Sequence, residues 1–282
     1  MASTVAGMVS PSSTKNLESR RIRPRRTALA FVGSLNIIDP SYNRRGNKRR
    51  GLQWLDLMVQ VRGPVVHEVD ALFVTDWYSE TNELLSTSWE RASAGERTGG
   101  LLCQVAPSGP AFEVENNLAL FNTLIYYAQR RLSITSSYLL PDESLLSALR
   151  TAALRGWRWS LFVCETGDQP LVLHAQHSYY TSLLEVGVRI WLYPAPAILH
   201  AKHMSIDEQV TVVGSSNMDI RSFQVDLELS LMSCGRAFTD EIRALEDQYR
   251  AVSRELTVAE WGRRTWGHRL LDNLARLTSA IQ

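Results

Sequence analysis

The chain has 282 residues, 45% of them hydrophobic and 21% charged, with a net charge of +1. That composition excludes a disordered or fibrous protein and supports one large core or two smaller ones. No stretch reaches the roughly 18 apolar residues that a membrane-spanning helix needs. Cys103, Cys164 and Cys234 are odd in number and far apart, which points to a reducing compartment and away from a disulfide framework or a zinc site.

Residues 1–26 are rich in Ser and Arg and poor in acids, and read as a basic, disordered leader. The first fifty residues hold 11 Lys and Arg against 2 Asp and Glu, so the remainder is acidic. Such a basic end suits anionic lipid or nucleic acid. An internal repeat follows. "AFVGSLNIID" at 30–39 matches "TVVGSSNMDI" at 211–220 around V-G-S-x-N. Each copy continues into an alternating strand, "WLDLMVQV" and "VDLELSLM", with an acid inside it, Asp56 and Glu228. Each then passes a glycine, Gly63 or Gly235, and enters an amphipathic helix. The first copy has an extra basic loop, "DPSYNRRGNKRRG". Residues 85–110 read as a polar linker, marked by "SAGERTGG" and "APSGP". Helix and strand patterns alternate from "NNLALFNTLIYYAQR" to "VRIWLYP", and the tail after 255 reads as helical. The alternation predicts an α/β fold with a mixed sheet.

The stretch "HAKHMSIDEQVTVVGSSN" carries the chemistry. On an extended strand His200 and Lys202 share a face, and the loop after the partner strand presents Ser215 and Asn217. An imidazole, an ammonium, a hydroxyl and a carboxamide then converge on one spot. Lys202, Asn217 and Ser215 suit the non-bridging oxygens of a phosphate diester, and a neutral imidazole can attack phosphorus or protonate a leaving oxygen. Glu228 is expected behind His200, fixing its tautomer. Asp207 reads better as a tie for the turn than as a reacting group. This chemistry calls for no metal or other cofactor, and the sequence offers no carboxylate cluster for one. For Trp54, Trp77 and Trp191, core packing is favoured over an acyl groove.

The pattern H-x-K-x4-D-x6-G-S-x-N resembles the phospholipase D superfamily, and flanks such as "ITSSYLLPDESLLSAL" and "GSSNMDIRSF" resemble bacterial cardiolipin synthases from Ala30 to the end. The resemblance implies two phospholipase D-like lobes with the active site between them, each supplying one H-x-K motif. It implies a phosphatidyltransferase that joins two phosphatidylglycerols into cardiolipin and glycerol through a phospho-histidine. It assigns His200, Lys202 and Asp207 to the catalytic motif. Ser215, Asn217 and Glu228 are its support, with Ser34, Asn36 and Asp56 as their counterparts in the first lobe. Partners would be anionic phospholipid and the membrane surface, and the location the cell membrane, although this chain holds no spanning segment. The expected divisions are 27–84 for an incomplete first lobe, 85–110 for the linker, 111–255 for a complete second lobe and 256–282 for a helical tail.

One departure stands out. Aligning Gly33 on Gly214 puts Ser19 in place of His200, Arg21 in place of Lys202 and Arg26 in place of Asp207. The first lobe therefore keeps its back wall and lacks its histidine, and His67 falls in a helix. Three readings stay open: an enzyme completed by a homodimer, a phospholipid-binding fragment without turnover, and a phosphodiesterase of nucleic acid. The lipid-type flanks argue against nucleic acid.

Overall fold

The computed structural model describes residues 29–39, 42, 44–85, 100–110, 112, 114–156 and 158–278. The expected leader, with Ser19, Arg21 and Arg26, lies outside them, as does most of the expected linker.

The range expected for the first lobe holds β1 (Ala30–Gly33), α1 (Arg45–Arg50), β2 (Gln53–Leu55), β3 (Met58–Val61) and α2 (Val65–Thr81). Then come β4 (Leu102–Ser108), α3 (Asn116–Tyr127), β5 (Arg131–Thr135), β6 (Leu139–Leu140), α4 (Glu143–Leu154) and β7 (Arg158–Cys164). They are followed by α5 (Pro170–Glu185), β8 (Arg189–Tyr193), β9 (Ala197–Leu199), β10 (His203–Ile206) and β11 (Val210–Gly214). The chain ends with β12 (Met218–Asp219), α6 (Ile220–Gln224), β13 (Glu228–Cys234), α7 (Arg236–Val252), β14 (Arg254–Leu256), α8 (Val258–Gly262) and α9 (Trp266–Arg276).

Eight strands form one sheet in the order β14-β8-β7-β5-β10-β11-β13-β4. Strands β5, β7 and β8 are parallel, as helix crossovers require, and the other pairings in the sheet are antiparallel. The mixed α/β expectation holds. Apolar residues of β5, β7, β8, β10 and β11 pack with those of α3, α4 and α5 in the main core. Local chemistry sets the helix ends. Asp142 caps α4 by accepting from the Leu145 amide at 2.8 Å, and Pro170 opens α5 with a ring that needs no hydrogen-bond partner.

Three expectations need correction. The alternating strand from Trp54 is broken at Asp56 and Leu57 into β2 and β3. The basic loop contains α1, stopped by Gly51 in the left-handed region (φ 64°). The linker range contains β4, which pairs with β13 at the sheet's outer edge, where Pro107 removes no ladder bond that the fold needs.

The repeat is visible in the backbone. Strand β1 pairs antiparallel with β3 as β11 pairs with β13. The Ser34 amide donates to the Leu57 carbonyl at 2.9 Å, and the Ser215 amide to the Leu229 carbonyl at 3.0 Å. A Cβ on Gly33 would lie 2.0 Å from the Leu57 oxygen, and one on Gly214 2.3 Å from the Leu229 oxygen. Only glycine permits that approach at either place. The lobes join through a small core, in which Ala30, Val32, Val61, Val66 and Val69 meet Leu229 and Leu231.

Candidate active site

The junction of the lobes positions the site. Strand β2 of the first lobe runs parallel to β9 of the second, with Leu55 opposite Leu199. The Leu55 carbonyl accepts from the amides of both His200 (2.9 Å) and Ala201 (3.0 Å). That register sets the next residue, Asp56, beside the His200 side chain. Asp56 Oδ1 lies 2.6 Å from His200 Nδ1 and accepts the Ser34 hydroxyl at 2.7 Å. The Leu57 amide donates to Ser34 Oγ at 3.0 Å, completing a fixed relay. An aspartate on Nδ1 leaves Nε2 with the lone pair.

Glu228 was expected in that role, and the structure places it elsewhere. The Ser215 hydroxyl lies close enough to its carboxylate to favour the ionised form, and the Ser215 oxygen accepts the Leu229 amide at 3.0 Å. This repeats the Asp56–Ser34–Leu57 arrangement in the second lobe. The acids are therefore crossed: Asp56 reaches the histidine of the opposite lobe. No histidine hydrogen-bonds to Glu228 among the described residues.

Burial shapes the charges. Lys202 is buried, with its ammonium donating to the His200 carbonyl at 2.7 Å and to Ser137 Oγ at 3.3 Å. Desolvation pulls Lys202 below the usual lysine range, against the attraction of Glu228 and Asp56. Desolvation likewise pushes Glu228 above the carboxylate range, with Ser215 and Lys202 opposing. His200 is lowered by burial and by Lys202, and the Asp56 bond only partly offsets this. Burial raises the Asp56 carboxyl, but the His200 and Ser34 bonds and the charges of His200 and Lys202 outweigh it, leaving it below its usual value. A neutral imidazole beside a buried ammonium suits attack on an anionic phosphate, because the amine attracts the oxygens while Nε2 stays unprotonated.

The other predicted residues divide. Asp207 stands at the far end of β10 from His200, at φ 47°. Its carboxylate accepts the amides of Gln129, Arg130 and Arg131 at 2.9, 2.8 and 2.9 Å. It is a tie between β5 and the β10–β11 turn and does not reach the imidazole. Asn36 donates to the Tyr42 hydroxyl, and the Tyr42 ring lies edge-on to His200 at 6.2 Å and 4.5 Å from Trp54. Tyr42 is a site neighbour that its sequence context did not flag; burial pushes its hydroxyl up to about 12. Asn217 Oδ1 is buried without a partner, so nothing in the protein fixes which end of its amide faces the site. Trp191 is core, stacked on Phe162, and Trp77 packs on Phe73 along α2.

Residues 121–248 match the family model described as cardiolipin synthase, PLD-like domain. The chain is 34% identical over 249 residues to cardiolipin synthase A of Serratia proteamaculans, covering 87% of this chain and 50% of that protein. It is 32% identical over 256 residues to cardiolipin synthase A of Proteus mirabilis, covering 90% and 52%. The chain thus spans about half the length of the curated relatives it matches. The phosphatidylserine synthase of Haemophilus influenzae Rd KW20 shares the fold, at a TM-score of 0.55 and 15% identity over 79% of this chain and 56% of that one. Residues 121–248 thus form a phospholipase D-like domain of the cardiolipin synthase family, and the similarity to cardiolipin synthase A extends over most of the chain.

Proposed function

We propose that this chain acts on phosphatidylglycerol as a phosphatidyltransferase of the cardiolipin synthase kind, with His200 as the nucleophile and with its turnover impaired. His200 Nε2 attacks phosphorus, the bond from phosphorus to the headgroup glycerol oxygen breaks, and that glycerol leaves with a proton from solvent. A headgroup hydroxyl of a second phosphatidylglycerol then attacks the phosphatidyl-histidine, the P–N bond breaks, and cardiolipin departs. Lys202 offsets the phosphate charge, Asn217 and Ser215 border the oxygens, and Asp56 holds the imidazole tautomer through attack and release.

The observation that carries this reading is the Asp56–His200 contact beside buried Lys202. Impairment follows from Glu228, which has the geometry of an orienting acid and no histidine to orient among the described residues. Without an acid and base on that side, protonation of the leaving glycerol and activation of the acceptor fall to water, at a cost of about 10²–10⁴ in rate.

Vesicles of phosphatidylglycerol labelled at phosphorus test the assignment. Acid-labile label should remain on the wild-type chain and be absent from His200→Ala. Equal labelling of the two would remove His200 from the chemistry.

A further inference from the structure

The C-terminal helix α9 has its apolar stripe on the wrong side for a helix held only by the core. Trp266, Leu270, Leu274 and Leu277 recur at helical spacing on one face. All four are exposed, Trp266 at 76% and Leu277 at 80%. The face that packs on α5 is instead the one with Asp272 and Ala275, both buried. A polar clamp fixes this orientation. Asp272 lies 2.8 Å from His174 Nδ1 of α5 and accepts from Arg264 at 2.5 Å. Further along, Arg276 lies over the Tyr179 ring at 4.6 Å.

Asp272 and Arg276 of α9 thus meet His174 and Tyr179, on successive turns of α5, whose own start is the end nearer the site. That end of α5 follows the loop whose Asp168 accepts from Tyr138 at 2.7 Å, next to Ser137, the partner of Lys202. Leu171 on the first turn of α5 is exposed as well. Between residues 263 and 277 the sole acid is Asp272, buried in the clamp, whereas Arg263, Arg269 and Arg276 are exposed.

We propose that α9 is an interfacial helix, which lays Trp266, Leu270, Leu274 and Leu277 into the headgroup and acyl boundary of an anionic phospholipid bilayer. An aromatic residue at one end of a leucine stripe, flanked by arginines and free of exposed acids, matches that boundary in polarity and charge. The inference rests on the lipid reading of the site only for the choice of partner.

The test is co-sedimentation of the full chain with phosphatidylcholine vesicles, with and without phosphatidylglycerol. The wild type should bind the anionic vesicles, less so at high salt. The double variant Leu270→Ser/Leu274→Ser should bind at least about tenfold more weakly, and Trp266→Ala should also weaken binding, with thermal midpoints near wild type because these side chains are exposed. His200→Ala should bind as wild type. Binding that depends on the stripe, without any product, would keep the docking and remove the transferase reading. Wild-type affinity in a folded double variant, or no binding by the wild type, overturns the proposal. So does self-association of the wild type that the double variant abolishes without losing vesicles, which would give the stripe to a second copy.

Discussion

Asp56 and His200 are 144 residues apart in sequence, in different lobes, and their side chains meet at 2.6 Å. The contact depends on one register, Leu55 opposite Leu199. Asp56→Asn would keep the shape and lose the charge that fixes Nδ1 as donor, so His200 could present the wrong tautomer. Labelling of His200 by phosphatidylglycerol should fall by about 10²–10⁴, with the fold intact by circular dichroism. Unchanged labelling would make the contact a packing detail.

Asp207 should behave in the opposite way. Three backbone amides converge on its carboxylate, and the imidazole lies at the other end of β10. Asp207→Ala should lower stability by about 2–3 kcal/mol, since charge-assisted bonds are lost and amides are left unpaired. Urea denaturation reads the loss. Labelling of His200 by the fraction still folded should match wild type.

The paired glycines offer a steric test of the repeat. Alanine at Gly33 or Gly214 would push a Cβ to 2.0 or 2.3 Å from a backbone oxygen, and neither oxygen sits on a flexible side chain. Each substitution should cost about 1–3 kcal/mol. Gly33→Ala should also displace the Ser34–Asp56 relay and so reduce labelling of His200, and thermal melts beside the labelling assay separate the two effects.

Acid should destabilise the chain through histidines that the core keeps neutral. Burial lowers His203 to about 3 and His177 to about 4, the latter helped by Arg264 and His174 and opposed by Asp272. The unfolded chain takes up these protons near pH 6.5 and the folded chain does not, so the unfolded state binds more protons. Stability is then lost as pH falls from about 6.5 toward those values, at up to about 1.4 kcal/mol per pH unit for each group. Glu246, 3.7 Å from His203 and raised by burial, opposes this over part of the range. Glu228, raised to about 7, opposes it as well, so the histidine effect is read as a difference: urea midpoints should drop less, or rise more, between pH 8 and 5 in His203→Leu than in wild type. A parallel pH profile in that variant would exclude His203 as a source.

Much of this was legible in the chain. V-G-S-x-N occurs twice because a glycine must pass a neighbouring carbonyl and a serine must bridge an acid to a backbone amide, and those demands are local. Strands β5, β7, β8, β10 and β11 and helix α7 follow from periodicity for the same reason, although the run "RLSITSSYLL" breaks into β5 and β6. What stayed hidden depends on pairing at a distance. The Asp56 acid was assigned to its own lobe because nothing in "WLDLMVQV" announces that the strand breaks and that β2 joins β9. Strand β4 reads as linker because Pro107 and Gly109 look like breakers, and its place at the sheet edge tolerates them. Tyr42 comes near His200 only through a fold over the β2–β9 pair. The tail holds helices α8 and α9, and the outward stripe of α9 is set by the Asp272 clamp, which sequence spacing does not show.

The most direct test of the account counts glycerol and cardiolipin together, over time, from one incubation of the purified chain with phosphatidylglycerol vesicles. An early release approaching about one glycerol per chain is expected, with cardiolipin lagging far behind and neither product from His200→Ala. Sustained release of both products in equal amounts, many per chain, would contradict impairment and require a second histidine opposite Glu228. Equal traces of product from wild type and His200→Ala would contradict the assignment of His200 itself.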